Sequence, residues 1–216
     1  MPTFLRLILA VGFAGLLAAC QGEVQRPPCP EGQKCLMWGN TLEPATLDPQ
    51  IVYSLSEFAI VGDLFIGLTA DAADASVLPG MAERWETSPD GLVWTFHLRD
   101  AQWSDGKPVT AEDFVYAYLI YLFKNGQPIA EGKMPPEALG ARAVNARTLE
   151  LTLEHPAPHL PELLKHSAFY PVPRHVVERH GDDWVQPANF VGNGPYVLKE
   201  WRLGDYLRVA KNPRFW

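Results

Sequence analysis

Alternating hydrophobic and polar positions predict several short β-strands along this chain. At residues 94–98, three large apolar side chains alternate with two polar ones, which places the apolar groups on one face of a strand. Asp90 and Gly91 directly before them are a hairpin turn signal and predict pairing with a strand near residues 84–87. The other strand patterns share this alternation or flank a turn, and they lie at residues 149–154, 196–201 and 206–211. These patterns predict half-buried strands joined by tight turns.

A helix is predicted from Thr110 onward, and its composition is unusual. The hydroxyl of Thr110 can accept a hydrogen bond from an otherwise unpaired amide, while Glu112 and Asp113 lie at the positive end of the helix dipole. Residues 114–123 are apolar or aromatic at every position, so the helix has no polar face. It is too short to cross a bilayer and is expected to be buried on all sides or to expose a hydrophobic surface. Strands and helices together predict a mixed α and β fold.

The N-terminal 20 residues resemble a bacterial lipoprotein signal. Arg6 precedes an apolar run at residues 7–16 that is too short to span a membrane, and small residues come before Cys20. On this interpretation Cys20 becomes the first residue of the mature chain and carries lipid that holds the protein to a membrane. The predicted location is the cell envelope, facing the periplasm. The alternative is an ordinary secretory signal with a chance cysteine.

The two other cysteines, Cys29 and Cys35, are predicted to form a disulfide. They are the only pair left in an exported, oxidising compartment, and the residues between them leave enough slack for the bond. The competing interpretation is half of a zinc site, for which no second cysteine pair exists. Residues 21–30 contain three prolines and few apolar groups, so residues 21–35 are expected to form a tether leading into the first strand.

Charge and motif content exclude several classes of function. The formal net charge of −7 argues against binding to nucleic acid. His155 and His159 have helical metal-ligand spacing, but Pro156 and Pro158 prevent the helix that would bring them together. No Gly-x-Ser-x-Gly nucleophile elbow is present. The sequence therefore predicts no catalytic residue, no metal site and no cofactor, and the protein is not expected to be an enzyme.

A series of ordered motifs covers nearly all of the chain after the signal. The series starts with Gly39-Asn40-Thr41-Leu42-Glu43-Pro44 and continues to Leu47-Asp48-Pro49, and it ends with Gly192-Asn193-Gly194-Pro195-Tyr196 and Asn212-Pro213-Arg214-Phe215-Trp216. The motifs between them lie at residues 63–68, 79–85, 90–99, 103–116 and 169–173. Together they resemble the opening part of the oligopeptide- and dipeptide-binding proteins of ABC importers, solute-binding family 5.

The resemblance implies an α/β fold like that of type II periplasmic binding proteins, of which only the first lobe, truncated, is written here. It also implies a division of the chain into five parts. These are a signal peptide at 1–20, a tether at 21–35, a first piece of a ligand-binding subdomain at 36–65, a peripheral subdomain at 66–173, and a return into the ligand-binding subdomain at 174–216.

The resemblance further implies that two lobes close on an extended peptide and deliver it to the ABC permease subunits. Carried over position by position, Tyr53, Ser54 and Leu55 fall on the segment that lines the ligand groove. His166 falls on a groove histidine, and Asn193 and Gly194 fall where the chain returns to the first subdomain. Competing interpretations are a surface tyrosine, a helix-end histidine and glycines required by backbone turns alone.

The chain departs from the family pattern in two ways. Family members continue well beyond the motif that ends at Trp216, and they carry about a dozen more residues between the positions of Tyr116 and Tyr118. A fragment or a decayed copy of a peptide receptor is therefore expected. The alternative hypothesis is a non-transporting surface lipoprotein that keeps one lobe as an interaction module.

Overall fold

The computed structural model describes residues 29–124 and 140–216. The predicted signal peptide and its lipid-bearing Cys20 lie outside the described residues. The chain divides into two compact units, one ending at Gly39 and the other running from Asn40 to Trp216. In the first unit, a disulfide joins Cys29 and Cys35, whose Cα atoms are 5.8 Å apart. Residues 36–40 form no strand, contrary to the expectation that the tether leads directly into one.

A four-stranded antiparallel sheet forms the centre of the second unit. Its strands are β3 (Ala82–Thr87), β4 (Val93–Leu98), β5 (Ala141–Asn145) and β6 (Thr148–Thr152), in the order β3-β4-β6-β5. The predicted strands at 84–87, 94–98 and 149–154 are confirmed within one or two residues at their ends. The predicted turn before β4 is also present, with Gly91 at a φ of 73° that favours glycine.

One face of this sheet is buried against helix α2 (Ala111–Lys124). Phe96 of β4 faces Leu149 of β6 in the ladder, and both side chains are fully buried. From the helix, Phe114 and Ala117 are buried as well. Because each large apolar side chain contributes about 1.5–3 kcal/mol when buried, this face supplies much of the stability of the unit.

The start of α2 differs in detail from the prediction. The hydroxyl of Thr110 donates a hydrogen bond to Asp113 Oδ2 at 3.1 Å, and the Thr110 backbone N–H donates to the same oxygen at 2.8 Å. The Asp113 side chain therefore caps the turn, a role that the sequence pattern predicted for the Thr110 hydroxyl. Within the apolar run, Phe114, Val115 and Ala117 are buried and Tyr116 is half-buried, so part of this surface is exposed, as the second of the two alternatives expected.

The remaining described elements of the second unit are two hairpins, three helices and two 3₁₀ turns. Two antiparallel hairpins are formed by β1 (Thr69–Asp71) with β2 (Val77–Pro79) and by β7 (Tyr196–Arg202) with β8 (Tyr206–Lys211), the second of which confirms a prediction. The other helices are α1 (Leu55–Leu64), α3 (Leu160–Leu163) and α4 (Arg174–His180), with 3₁₀ turns at Ser167–Phe169 and Gly181–Val185. Among the described residues, no helix has the length and apolar character needed to cross a membrane.

An aromatic cluster holds the C-terminal end of α1. Phe65 contacts Trp184 and Phe190 edge to face, with ring centroids 6.0 and 5.5 Å apart, and the latter two rings stack on each other at 6.2 Å. Edge-to-face and offset-stacked pairs are the favourable geometries for aromatic rings. Helix α1 is therefore anchored at one end, and its N-terminal end carries the predicted ligand segment.

Candidate ligand-binding surface

The predicted ligand segment, residues 53–55, passes directly into helix α1 through a capping box. Ser54 is the N-cap residue, with extended backbone (φ −108°, ψ 151°), and its Oγ accepts a hydrogen bond from the Glu57 backbone N–H. In return, Glu57 Oε2 accepts from the Ser54 N–H at 3.0 Å. The spacing Ser-x-x-Glu ahead of an apolar run is a sequence signal for a helix start, although no helix was predicted here.

Glu57 is buried, with only 2% of its surface exposed, and its carboxylate accepts hydrogen bonds from two loops. Oε1 accepts from the Ala45 N–H at 2.8 Å, and Oε2 accepts from the Tyr53 N–H at 3.1 Å and from the Ser54 hydroxyl at 2.9 Å. Burial alone would raise the pKa of Glu57, but the hydrogen bonds from Tyr53, Ala45 and Ser54 outweigh it and hold the pKa below its ordinary value. The side chain is therefore a charged carboxylate held by backbone amides.

The side chains on either side of Ser54 extend into solvent. Tyr53 is 79% exposed and Leu55 is 87% exposed. Their backbones are also available, since no described residue donates to the Tyr53 C=O or accepts from the Leu55 N–H. By contrast, the Ser54 C=O accepts from the Phe58 N–H at 3.0 Å and its N–H is taken by Glu57. The segment thus presents two large apolar side chains with one free acceptor and one free donor.

His166 lies at the same surface through its contact with α1. Its ring meets Phe58 edge to face, with centroids 5.3 Å apart, and Phe58 is one helical turn after Leu55. His166 Nδ1 accepts a hydrogen bond from the Ala168 backbone N–H at 3.2 Å and caps the 3₁₀ turn. Because a backbone amide only donates, Nδ1 of the neutral ring carries no proton and Nε2 carries it. The structure therefore places His166 against helix α1, beside a residue one turn from Leu55, and presents His166 as a hydrogen-bond donor.

The residue before His166 ties it to the β1–β2 hairpin. Lys165 Nζ lies 2.7 Å from Asp71 Oδ1 and 2.7 Å from Glu162 Oε2, and it donates to the Ala75 C=O at 2.9 Å. The hydrogen bonds with these two carboxylates raise the pKa of Lys165 above its ordinary value. Three groups, on strand β1, in the β1–β2 turn and on helix α3, thus meet the ammonium of the residue next to His166.

Asn193 and Gly194 lie at the opposite end of α1 and make structural contacts there. Asn193 is buried, its Oδ1 accepts from the Ile66 N–H at 3.1 Å, and its Nδ2 donates to the Ile66 C=O at 3.0 Å. The Gly194 N–H donates to the Leu64 C=O at 2.9 Å, and a Cβ at Gly194 would lie 2.4 Å from the Leu64 carbonyl carbon. Both side-chain ends of Asn193 are used by backbone, so a ligand contact from these two residues stays a prediction. Their observed contact is with the end of the helix that carries residues 53–55.

No metal-binding geometry accompanies this surface. In residues 29–124 and 140–216, no group of three or more His, Cys, Asp or Glu side chains lies close enough to hold a metal ion. The surface consists instead of exposed apolar side chains, unpaired backbone groups and one histidine donor. Such an arrangement can hold a ligand by hydrogen bonds and apolar contact.

Comparison of the sequence with known proteins gives matches over most of the chain. The profile of bacterial extracellular solute-binding proteins, family 5 Middle, matches residues 76–216. The periplasmic oligopeptide-binding protein OppA of Escherichia coli is 40% identical over 201 residues, which are 85% of this chain and 37% of that protein. The periplasmic murein peptide-binding protein MppA of E. coli is 39% identical over 191 residues, 81% of this chain and 35% of that protein. The chain therefore spans little more than a third of the length of these relatives.

Comparison with solved structures shows the same fold. The Haemophilus influenzae OppA complex with the peptide RPPGFSPFR superposes with a TM-score of 0.73 at 37% identity, covering 82% of this chain and 38% of that one. The open, unliganded form of MppA gives a TM-score of 0.73 at 40% identity, covering 81% and 37% of the two chains. The predicted fold class, a partial lobe of the periplasmic binding protein type, is confirmed.

Proposed function

Because the chain belongs to the bacterial extracellular solute-binding proteins of family 5, we propose that it contributes one jaw of a peptide receptor for an ABC importer. The receptor captures an extended peptide outside the inner membrane, closes two lobes on it and delivers it to the permease subunits. Lipid on Cys20 keeps the protein at the membrane. The observation that carries this proposal is the exposed 53–55 segment with its free backbone groups.

The geometry of that segment suits an extended peptide. In an extended residue, the preceding C=O and the following N–H point to the same side, opposite to the residue's own N–H and C=O. Ser54 is extended, and its own groups are used by Glu57 and Phe58. The Tyr53 C=O and the Leu55 N–H therefore face outward together, where they can pair with one residue of a peptide strand.

The relatives support a peptide as the ligand. One solved relative holds a nonapeptide and another is named for murein peptide. A third, YgiS of E. coli, is described as probably deoxycholate-binding at 40% identity, so a bile acid is the ligand to compare with a peptide. The unpaired donor and acceptor beside Ser54 favour the peptide, since deoxycholate has no backbone to pair with both.

The proposal extends to the division of the mature chain into parts. Residues 36–65 and 174–216 form the two pieces of a ligand-binding subdomain, and residues 66–173 form a peripheral subdomain. The hydrogen bond from the Gly194 N–H to the Leu64 C=O supports this division, because it ties the second piece to the end of the first, and Asn193 bonds to Ile66 directly after that end. Residues 21–35 form the tether.

A chimaera tests the proposed function. This chain replaces the matched 37% of E. coli OppA, and di- to pentapeptides and deoxycholate are titrated by calorimetry. We expect peptide binding by the chimaera and none of useful affinity by the 216-residue chain alone. A single jaw offers only part of the hydrogen bonds, while the whole entropy of ordering the peptide must be met. A folded chimaera that binds no peptide, or only deoxycholate, would contradict the proposal, with OppA itself as the control.

A further inference from the structure

Glu57 is a buried carboxylate without a cationic partner. No Lys, Arg or His side chain in the described parts of the chain forms an ion pair with it, and its charge is met by three backbone N–H groups and one hydroxyl. An ionised carboxylate is costly to bury unless hydrogen bonds replace its water. All four of its hydrogen bonds therefore come from the backbone of two loops and the Ser54 side chain.

Capping of helix α1 accounts for only part of these bonds. A capping box requires the bonds between Ser54 and Glu57. The bonds from Tyr53 and Ala45 lie outside the helix, and Ala45 is 12 residues away in the chain. They fix the direction in which the chain enters Ser54, and hence the direction of the Tyr53 C=O.

We propose that Glu57 is a positioning residue that holds the 53–55 backbone ready for ligand, an inference that rests on the proposed function of that segment. Without the carboxylate, the Tyr53 and Ser54 amides are released and the exposed segment samples other conformations. With it, the free C=O of Tyr53 and N–H of Leu55 stay aligned before a ligand arrives. Binding then costs less ordering entropy, which is the energetic benefit of preorganisation.

Amide hydrogen exchange in the unmodified chain tests the geometry directly. The full 216-residue chain, labelled with ¹⁵N, is followed by NMR. We expect the Tyr53 and Ser54 amides to be protected and their neighbours at Leu55 and Ser56, which have no partner in the first helical turn, to exchange fast. Fast exchange at Tyr53 and Ser54 would overturn the inference whether or not any peptide binds.

A matched pair of variants tests the role of the carboxylate. Glu57→Gln keeps the side-chain length but places an amide NH₂ where an acceptor is needed. Glu43→Gln makes the same change at a carboxylate that accepts from the Trp201 side chain at 2.7 Å and the Gly204 N–H at 3.0 Å, on the β7–β8 hairpin. We expect Glu57→Gln to speed exchange at Tyr53 and Ser54 by about tenfold or more, with exchange in β4 unchanged, and Glu43→Gln to leave Tyr53 and Ser54 as they were.

Peptide binding by the OppA chimaera separates the positioning role of Glu57 from the proposed function as a peptide receptor. If Glu57→Gln weakens peptide binding by about tenfold while Glu43→Gln does not, both the positioning role and the proposed function are supported. If the exchange result holds but the unmodified chimaera binds no peptide, the geometry stands and the proposed function fails. Equal acceleration of exchange across the whole molecule would mean that Glu57 only stabilises the fold, and the inference would be wrong. If Glu57→Gln does not fold, the protection pattern of the unmodified chain decides.

Discussion

Two buried carboxylates, Glu57 and Asp113, show how local donors decide the effect of burial on a side chain. The hydrogen bonds to Glu57 outweigh burial and lower its pKa, whereas at Asp113 burial outweighs the bonds from Thr110 and Trp103 and raises the pKa. Glu57 receives three backbone N–H groups, while Asp113 receives one. The two residues therefore contribute to stability with opposite dependence on pH.

Asp113→Asn tests this difference. Because the folded state holds the Asp113 proton at a pH where the unfolded state has lost it, this contribution to stability is fully present below the unfolded pKa of 3.8 and is lost as pH rises through the folded value. The free energy of unfolding of Asp113→Asn relative to the unmodified chain should therefore increase with pH just above 3.8. Urea unfolding at a series of acidic pH values measures it, and a difference that does not vary with pH would contradict the assignment.

Two isosteric substitutions test the orientation of His166. The oxygen of Asn can replace Nδ1 as acceptor for the Ala168 N–H, whereas the longer Gln can place an N–H near the position of Nε2. We expect His166→Gln to lose the turn cap and about 1 kcal/mol of stability, and His166→Asn to keep it. In the OppA chimaera we expect the opposite order for peptide affinity, with His166→Gln keeping more affinity than His166→Asn. The ¹⁵N shifts of the ring report the proton directly, and a proton on Nδ1 would disprove the orientation.

At the scale of elements, the position of helix α1 is decided by contacts far apart in the chain. The capping box and the Glu57 bonds hold its first turn, and the aromatic cluster and Asn193 hold its last. Asn193 and Ile66 are 127 residues apart in sequence. The helix therefore acts as a rigid connection between the candidate surface and the later part of the chain.

Asn193→Ala should strongly destabilise the fold. It removes both bonds to Ile66 and leaves a part-buried N–H and C=O without their partners, which costs about 2–3 kcal/mol. Asn189→Ala is the matched control, since the Asn189 side chain makes one bond near the surface, to the Asp183 C=O, and its loss should cost about 1 kcal/mol or less. Urea denaturation midpoints compare the two variants. Equal costs would show that the Asn193 contacts add nothing beyond a surface hydrogen bond.

At the scale of the whole molecule, the proposed lipid on Cys20 predicts where the protein is held. Cys20→Ser should release it from membranes, because on this proposal one sulfur carries the attached lipid. Metabolic labelling with radioactive palmitate measures the loss of lipid, and fractionation measures the release from membranes. Label retained by the variant would refute the lipoprotein interpretation, and a Cys35→Ser variant serves as a control that should keep its label.

The disulfide between Cys29 and Cys35 belongs to the same region. In exported protein both thiols should be blocked, and the small loop should add about 2 kcal/mol at most by the loop-entropy argument. Alkylation before and after reduction, followed by mass measurement, counts the free thiols. Two free thiols in the exported chain would show that the bond does not form there.

The sequence alone determined the elements whose signals are local. Alternation with a turn residue located β4 and its hairpin partner, and the β7–β8 hairpin, because strand periodicity and turn chemistry depend on neighbouring residues. Ordered motifs determined the fold class. The segment at residues 53–55 and His166 were located through the same resemblance.

Only the tertiary structure decided what holds these residues in place. Glu57 accepts hydrogen bonds from backbone amides of two loops, Phe58 packs against the His166 ring, and Asn193 is hydrogen-bonded to the backbone of Ile66. The failed expectation at Thr110 has the same origin, since Asp113 and not the hydroxyl satisfies the turn. A hydrogen bond requires a donor–acceptor distance that is correct to within a few tenths of an ångström. The chain brings these atoms together only on folding, and no periodicity in the sequence encodes their distances.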